Sequence, residues 1–178
     1  MKTAACFSAD RKYRYWLTRS WDDGALPMLC VIGLNPSTAD ETVDDPTIRK
    51  CIGFAERLGF GSLLMLNVGA YRATDPRRWL SAADPFGPEN SIAHLREYIA
   101  QNTMACREGE IPTKGISAVV AAWGKNGHKT PITTHRCLTI AHAIPDLFCW
   151  GRNPDSSPRH PLMLPYSTKL ENYREYLW

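Results

Sequence analysis

The sequence predicts an α/β protein: a three-layer α/β/α sandwich with a central, mainly parallel four-stranded sheet plus an N-terminal antiparallel strand. Three observations predict it. Four short runs, residues 28–34, 62–68, 116–123 and 146–150, are almost continuously apolar, as expected of strands covered on both faces. Stretches carrying helix-start residues separate them, and strands alternating with helices imply a parallel sheet between helix layers. The chain has 178 residues, the size of one domain at roughly 150 residues each. Residues 1–178 are therefore expected to form a single domain.

Residues 13–21 alternate in character. Tyr13, Tyr15 and Leu17 face one way and Lys12, Arg14, Trp16 and Thr18 the other, which reads as a strand exposed on one side. Asp22-Asp23-Gly24 supplies a turn into the first central strand. A helix follows, with Asp44 or Asp45 as cap and Pro46 in the first turn. Ile48, Ile52, Ala55 and Leu58 form its apolar stripe, and Gly59 stops it. After the second central strand, a proline-rich connection (Asp75-Pro76, Asp84-Pro85, Gly87-Pro88) leads to a helix over about 89–104. The third strand precedes a helix over about 131–143. The fourth runs into the loop SSPRHPLMLP, with a short final helix expected from about Lys169.

Composition narrows the function classes. Hydrophobic residues make up 44% and charged residues 22%, which excludes a disordered chain. No run approaches the ~20 apolar residues of a membrane helix, and the start lacks the apolar core of a signal peptide. None of the six cysteines forms C-x-x-C, so they read as reduced core residues of a cytoplasmic protein. No metal and no cofactor are expected. His128, His135 and His142 are spaced too widely to share an ion and read as surface residues.

Right-handed crossovers place every strand-to-helix loop on one edge of the sheet, where open α/β sheets bind ligands. The loops at that edge form a set: GLNPSTAD (33–40), LNVGAYR (66–72), WGKNGHK (123–129) and WGRNPDSSPRHPL (150–162). Asparagine and glycine are ordinary turn formers. Four such loops at one edge point to a site, because an amide offers donors and an acceptor in the geometry of a heterocycle's edge. The candidate base-binding residues are Gly33, Pro36, Ser37, Asn67, Tyr71, Trp123 and Gly124. Asn35, Asp40 and His160 are further polar side chains of these loops. Asp40 is kept as a candidate base because it lies within the loop, whereas Asp44 and Asp45 read as helix caps.

The net charge is only +3, yet Lys2, Arg11, Lys12, Arg14 and Arg19 face a single acid, Asp10, in the first twenty residues. Arg72, Arg77 and Arg78 follow the second strand-end loop, and Arg152 and Arg159 flank the last. Interleaved aromatics, Tyr13, Tyr15, Trp16, Tyr71 and Trp79, suit base stacking. The expected partner is nucleic acid, DNA in the first instance, held over a short footprint, or a nucleotide. Contact falls to Arg72, Arg152 and Arg159. A monomer with no membrane partner is expected.

These loops, in this order, resemble the uracil-DNA glycosylase superfamily. There a first strand ends in G-x-[ND]-P, a second in L-L-N and a third in L-W-G, and a late H-P-S-P-L-like loop supplies a histidine. The counterparts are VIGLNPS, LLMLNVGAYR, VVAAWG and RHPLMLP. The resemblance implies a fold of that type, with Asn35 orienting the attacking water and Asn67 reading a base edge. It also implies that His160 stabilises charge on the departing base and that Leu162 or Met163 enters the duplex. STAD and PLML depart from the superfamily's pattern, which bears on the substrate. GLNPSTAD, DPTIRK and SPRHPL also resemble, over nearly the full length, a bacterial and phage family of uncharacterised proteins.

The implied reaction is hydrolysis of the N-glycosidic bond of a damaged or modified base flipped from the stack. It calls for donors where charge develops and a held water. Asn35 can orient a water but cannot deprotonate it. Two alternatives stand beside it: a non-catalytic nucleic-acid or nucleotide binding module of the same fold, and an enzyme acting on free nucleosides or nucleotides.

Overall fold

Seven strands form one mixed sheet in the computed structural model, which describes residues 1–103 and 115–174. The elements are β1 (Lys2–Phe7), β2 (Arg14–Ser20), β3 (Met28–Gly33), α1 (Pro46–Arg57), β4 (Ser62–Asn67) and α2 (Pro76–Leu80). They continue with α3 (Ile92–Thr103), β5 (Ile116–Ala121), α4 (Pro131–Ala143), β6 (Leu147–Cys149) and β7 (Glu171–Asn172). Short 3-10 turns occupy Lys125–His128 and Pro161–Met163. The strand order is β1-β2-β4-β3-β5-β6-β7. Neighbours from β4 to β6 pair in parallel. β1 and β2 are antiparallel at one side, and β7 is antiparallel at the other.

The period-2 alternation of the central strands builds two apolar layers. Leu29, Val31, Leu63, Met65 and Val120 pack on the α1 side with Ile48, Cys51 and Phe54. Cys30, Ile32, Leu64, Leu66 and Val119 pack on the opposite face with Leu95 of α3 and Cys137 and Ile140 of α4. Burial of each large side chain contributes about 1.5–3 kcal/mol.

α1 starts where its sequence dictates. Asp45 caps it, accepting a hydrogen bond from the Ile48 N–H at 2.9 Å, and Pro46 sits in the first turn. Its buried stripe is Ile48, Cys51, Phe54 and Ala55. Leu58 is exposed, so the stripe is rotated relative to the expected one.

Four features differ from the sequence reading. The sheet has seven strands instead of four plus one: β1 is half exposed and carries no clear alternation, and β7 is too short to show a period. The final helix expected from Lys169 gives way at 171–172 to β7, whose Asn172 and Glu171 pair with Phe148 and Cys149. α2 lies inside the proline-rich connection, started by the Asp75 carboxylate accepting from the Arg77 N–H. Finally, β2 is not an exposed basic strand. Arg14 and Arg19 are both buried, at 1% and 0% exposure.

Residue 104, at the end of the helix expected over about 89–104, and Cys106 lie outside the described residues. Cys6, Cys30, Cys51, Cys137 and Cys149 are free thiols. Among the described residues, no helix is long and apolar enough to cross a membrane.

Candidate functional site

A cavity of about 540 Å3 opens beyond the carboxyl ends of β3, β4 and β5, within the roughly 300–1,000 Å3 range of small-molecule sites. Each wall is the continuation of a different strand. The segment after β3 supplies Asn35, Ser37 and Thr38, and β4 supplies Met65 and Asn67. Trp123 and Gly124 follow β5, and His160 and Leu162 come from the last loop.

Asn67 is 1% exposed, and neither Nδ2 nor Oδ1 has a hydrogen-bond partner. A buried polar group left unpaired costs about 1–3 kcal/mol, and the Asn67 amide carries that cost at both ends in the cavity wall. Its main chain, by contrast, is fixed. The Asn90 Nδ2 donates to the carbonyls of Asn67 and Val68, at 3.3 and 3.2 Å. Arg136 donates to the Val68 carbonyl at 2.8 Å and to the Asn90 carbonyl. Trp123 is equally buried, with its Nε1–H unpaired, and its ring packs edge-on against Tyr173.

Asn35 is tied differently. Its Nδ2 donates to the Ala73 and Pro36 carbonyls, at 2.7 and 3.0 Å. Two carbonyls can accept only from the amide nitrogen, which fixes the side chain's orientation. Its Oδ1 takes no donor from the described residues and is left as an acceptor.

His160 stands at the exposed mouth. Its Nδ1 accepts from the Leu162 N–H at 3.3 Å, which leaves the proton of the neutral ring on Nε2. Desolvation by the walls lowers its pKa from the usual histidine value, against the opposing attraction of Asp45. Gly124, at φ +68 and ψ 179, lets the β5 loop approach it; a Cβ there would lie 3.2 Å from the His160 Cβ.

Arg14 and Asp45 also line the cavity, and sequence reasoning assigned neither to a site. Asp45 had a helix-cap signal, which it fulfils. Arg14 begins β2, which runs antiparallel to β4, so its start lies at the carboxyl edge; its N–H donates to the Ala70 carbonyl at 2.9 Å. Burial pulls its guanidinium down to about 10, with Asp45 opposing, so it remains charged at neutral pH.

Of the sequence candidates, Gly33, Asn35, Ser37, Asn67, Trp123, Gly124, His160 and Leu162 line this one cavity. Pro36, Asp40, Met163, Arg152 and Arg159 do not. Asp40 accepts from the Thr42 and Val43 N–H groups, which hold its carboxyl below the usual range. It organises its loop and stands apart from the cavity. Arg159 donates to the Arg152 carbonyl, and Arg152 faces Glu171 at 3.4 Å. Met163 is 88% exposed beside the rim. Tyr71 and Arg72 line an adjoining groove.

Four of the five cations in the basic amino-terminal segment, all but Arg14, have carboxylate partners. Lys2 pairs with Asp23, Arg11 with Glu41, Lys12 with Asp10 and Arg19 with Asp44. Among the described residues, no group of three His, Cys, Asp or Glu side chains is placed to hold a metal ion.

No curated protein and no solved structure matches the chain. A family model described as "Protein of unknown function (DUF1643)" matches residues 14–162, from the first to the last residue lining the cavity, and the chain belongs to that family.

Proposed function

We propose that the protein recognises a nucleobase in DNA and hydrolyses its N-glycosidic bond, on a fold of the uracil-DNA glycosylase type. One observation carries the reading: Asn35 from the loop after β3, Asn67 from the end of β4 and His160 from the last loop line one cavity. Asn67 offers an open donor and acceptor to the base edge. Asn35 offers Oδ1 to a water, and His160 offers Nε2–H to charge developing on the departing base. Apolar strand runs flanked by helices on both faces support the fold likeness. Damaged or modified bases are the substrate class, reached by flipping.

The experiment is incubation with oligonucleotides carrying uracil, mismatched and modified bases, followed by alkaline detection of abasic sites. Cleavage that falls about 100-fold in Asn35→Ala and His160→Ala is expected, the usual effect of losing one placed group. No abasic product from any substrate overturns the enzymatic reading.

A second reading, base binding without catalysis, is favoured by the carboxylates. Asp40 stands outside the cavity, and Asp45 is engaged as a helix cap. Binding without cleavage, lost in Asn67→Ala, selects it.

A further inference from the structure

We propose that the groove adjoining the base cavity is a phosphate subsite. The joined site would then take a phosphorylated nucleoside unit, with its base at Asn67 and its phosphate among Arg14, Arg72 and Arg78. The proposal rests on the base-binding reading for the identity of the base alone.

The groove, about 670 Å3, shares Ser37, Thr38, Ala73 and Thr74 with the cavity, so the two are continuous. Arg72 and Arg78 line it, and among the described residues no carboxylate does. Arg14, in the cavity wall, feels the attraction of Asp45 and, more weakly, the repulsion of Arg72.

Buried charges are ordinarily paired. Arg19, on the same strand, obeys the rule through Asp44 at 2.8 Å. Arg14 does not. It is 1% exposed, donates from NH1 to the Ala39 carbonyl at 3.1 Å, and its Nε has no acceptor. The Nε of Arg72 is likewise buried and unpaired, with NH1 on the Arg11 carbonyl. Arg14 thus has Asp45 as a distant counter-charge and no ion pair among the described residues, and an anion seated where cavity and groove join would add the missing negative charge. Guanidinium forks and the hydroxyls of Ser37, Thr38 and Thr74 supply more donors than one carboxylate accepts, and they suit the several oxygens of a phosphate.

The test is calorimetric titration of the intact chain with common nucleosides, their 5′-monophosphates and short single-stranded oligonucleotides. Arg14→Lys and Arg78→Gln are compared with the wild type. For at least one base, a phosphorylated form is expected to bind at least tenfold tighter than the nucleoside. Each substitution should remove most of that advantage, and Arg78→Gln, which lies in the groove alone, should do so while leaving nucleoside affinity nearly unchanged. Arg78 is exposed, so Arg78→Gln decides the matter if Arg14→Lys fails to fold. A monophosphate outbinding the oligonucleotide assigns a free nucleotide, and the reverse order assigns a strand phosphodiester.

Nucleosides binding as tightly as both phosphorylated forms, or an advantage that survives substitution, overturns the subsite and leaves the base reading standing. Suppose instead that no base-bearing ligand binds, yet inorganic phosphate at constant ionic strength raises the melting temperature of the wild type and not of Arg78→Gln. The base reading then falls and the subsite stands. No response to any of these overturns both.

Discussion

Gly33 leaves open the space beside Asn67: a Cβ on residue 33 would lie 3.1 Å from the Asn67 Oδ1 and 2.6 Å from the Met65 Cε. The Met65 methyl is the end of a flexible side chain and can give way. The Asn67 amide, on a pinned main chain, has less room to move. Gly33→Ala is therefore expected to cost about 1–2 kcal/mol in stability while weakening ligand binding at least tenfold. Urea denaturation and titration of the same sample separate the two effects. Unchanged affinity would show that the Asn67 amide is not a recognition element.

Asp44 is the carboxylate on buried Arg19. Asp44→Ala leaves that guanidinium with only carbonyl acceptors at Thr18, Asp40 and Val43. A loss of about 3 kcal/mol is expected by chemical denaturation. The double variant Arg19→Met, Asp44→Ala should regain part of it, since no charge is then stranded. A single variant within about 0.5 kcal/mol of wild type would contradict this account of β2.

His160 should titrate below the ordinary histidine value of about 6.5, because desolvation outweighs the attraction of Asp45. The folded protein thus favours the neutral ring. Its contribution to folding is fully present above the unfolded value and is lost as pH falls through the lower folded one. Protonation also places a hydrogen on Nδ1, where the Leu162 N–H now donates. Imidazole proton NMR, with His160→Ala for assignment, measures the midpoint. A value at or above about 6.5 refutes the assigned environment.

Gly124 combines φ +68 with ψ 179, a region essentially confined to glycine. Gly124→Ala should cost about 1–3 kcal/mol and push on the His160 Cβ, 3.2 Å from the new methyl. The melting temperature should fall, and the His160 resonances should move further than those of His94, which lies on α3. A variant with wild-type melting would mean that the loop takes another path.

The four central strands were legible because burial on both faces writes a continuous apolar run, as in MLCVIG and SLLMLN. The α1 cap was legible from Asp45-Pro46. The burial of Arg14 and Arg19 was not, because strand alternation cannot say whether a polar position meets solvent or an internal acceptor. Arg19 finds Asp44, a long way along the chain. Arg14 reaches the cavity only because β2 pairs antiparallel with β4. In the cavity wall, Asn35 and His160 were readable as loop residues after strands, and Asn67 as a residue at a strand's end. Asp45 was masked by its own capping signal. Asp40, outwardly similar, is spent on its loop.

The span shared with the family starts at Arg14 and stops at Leu162, leaving β1 and β7 outside it. No residue of either strand lines the cavity. One margin still braces a wall from behind, because Tyr173, next to β7, packs edge-on against Trp123. The cavity is thus lined wholly within the shared span and buttressed from beyond it.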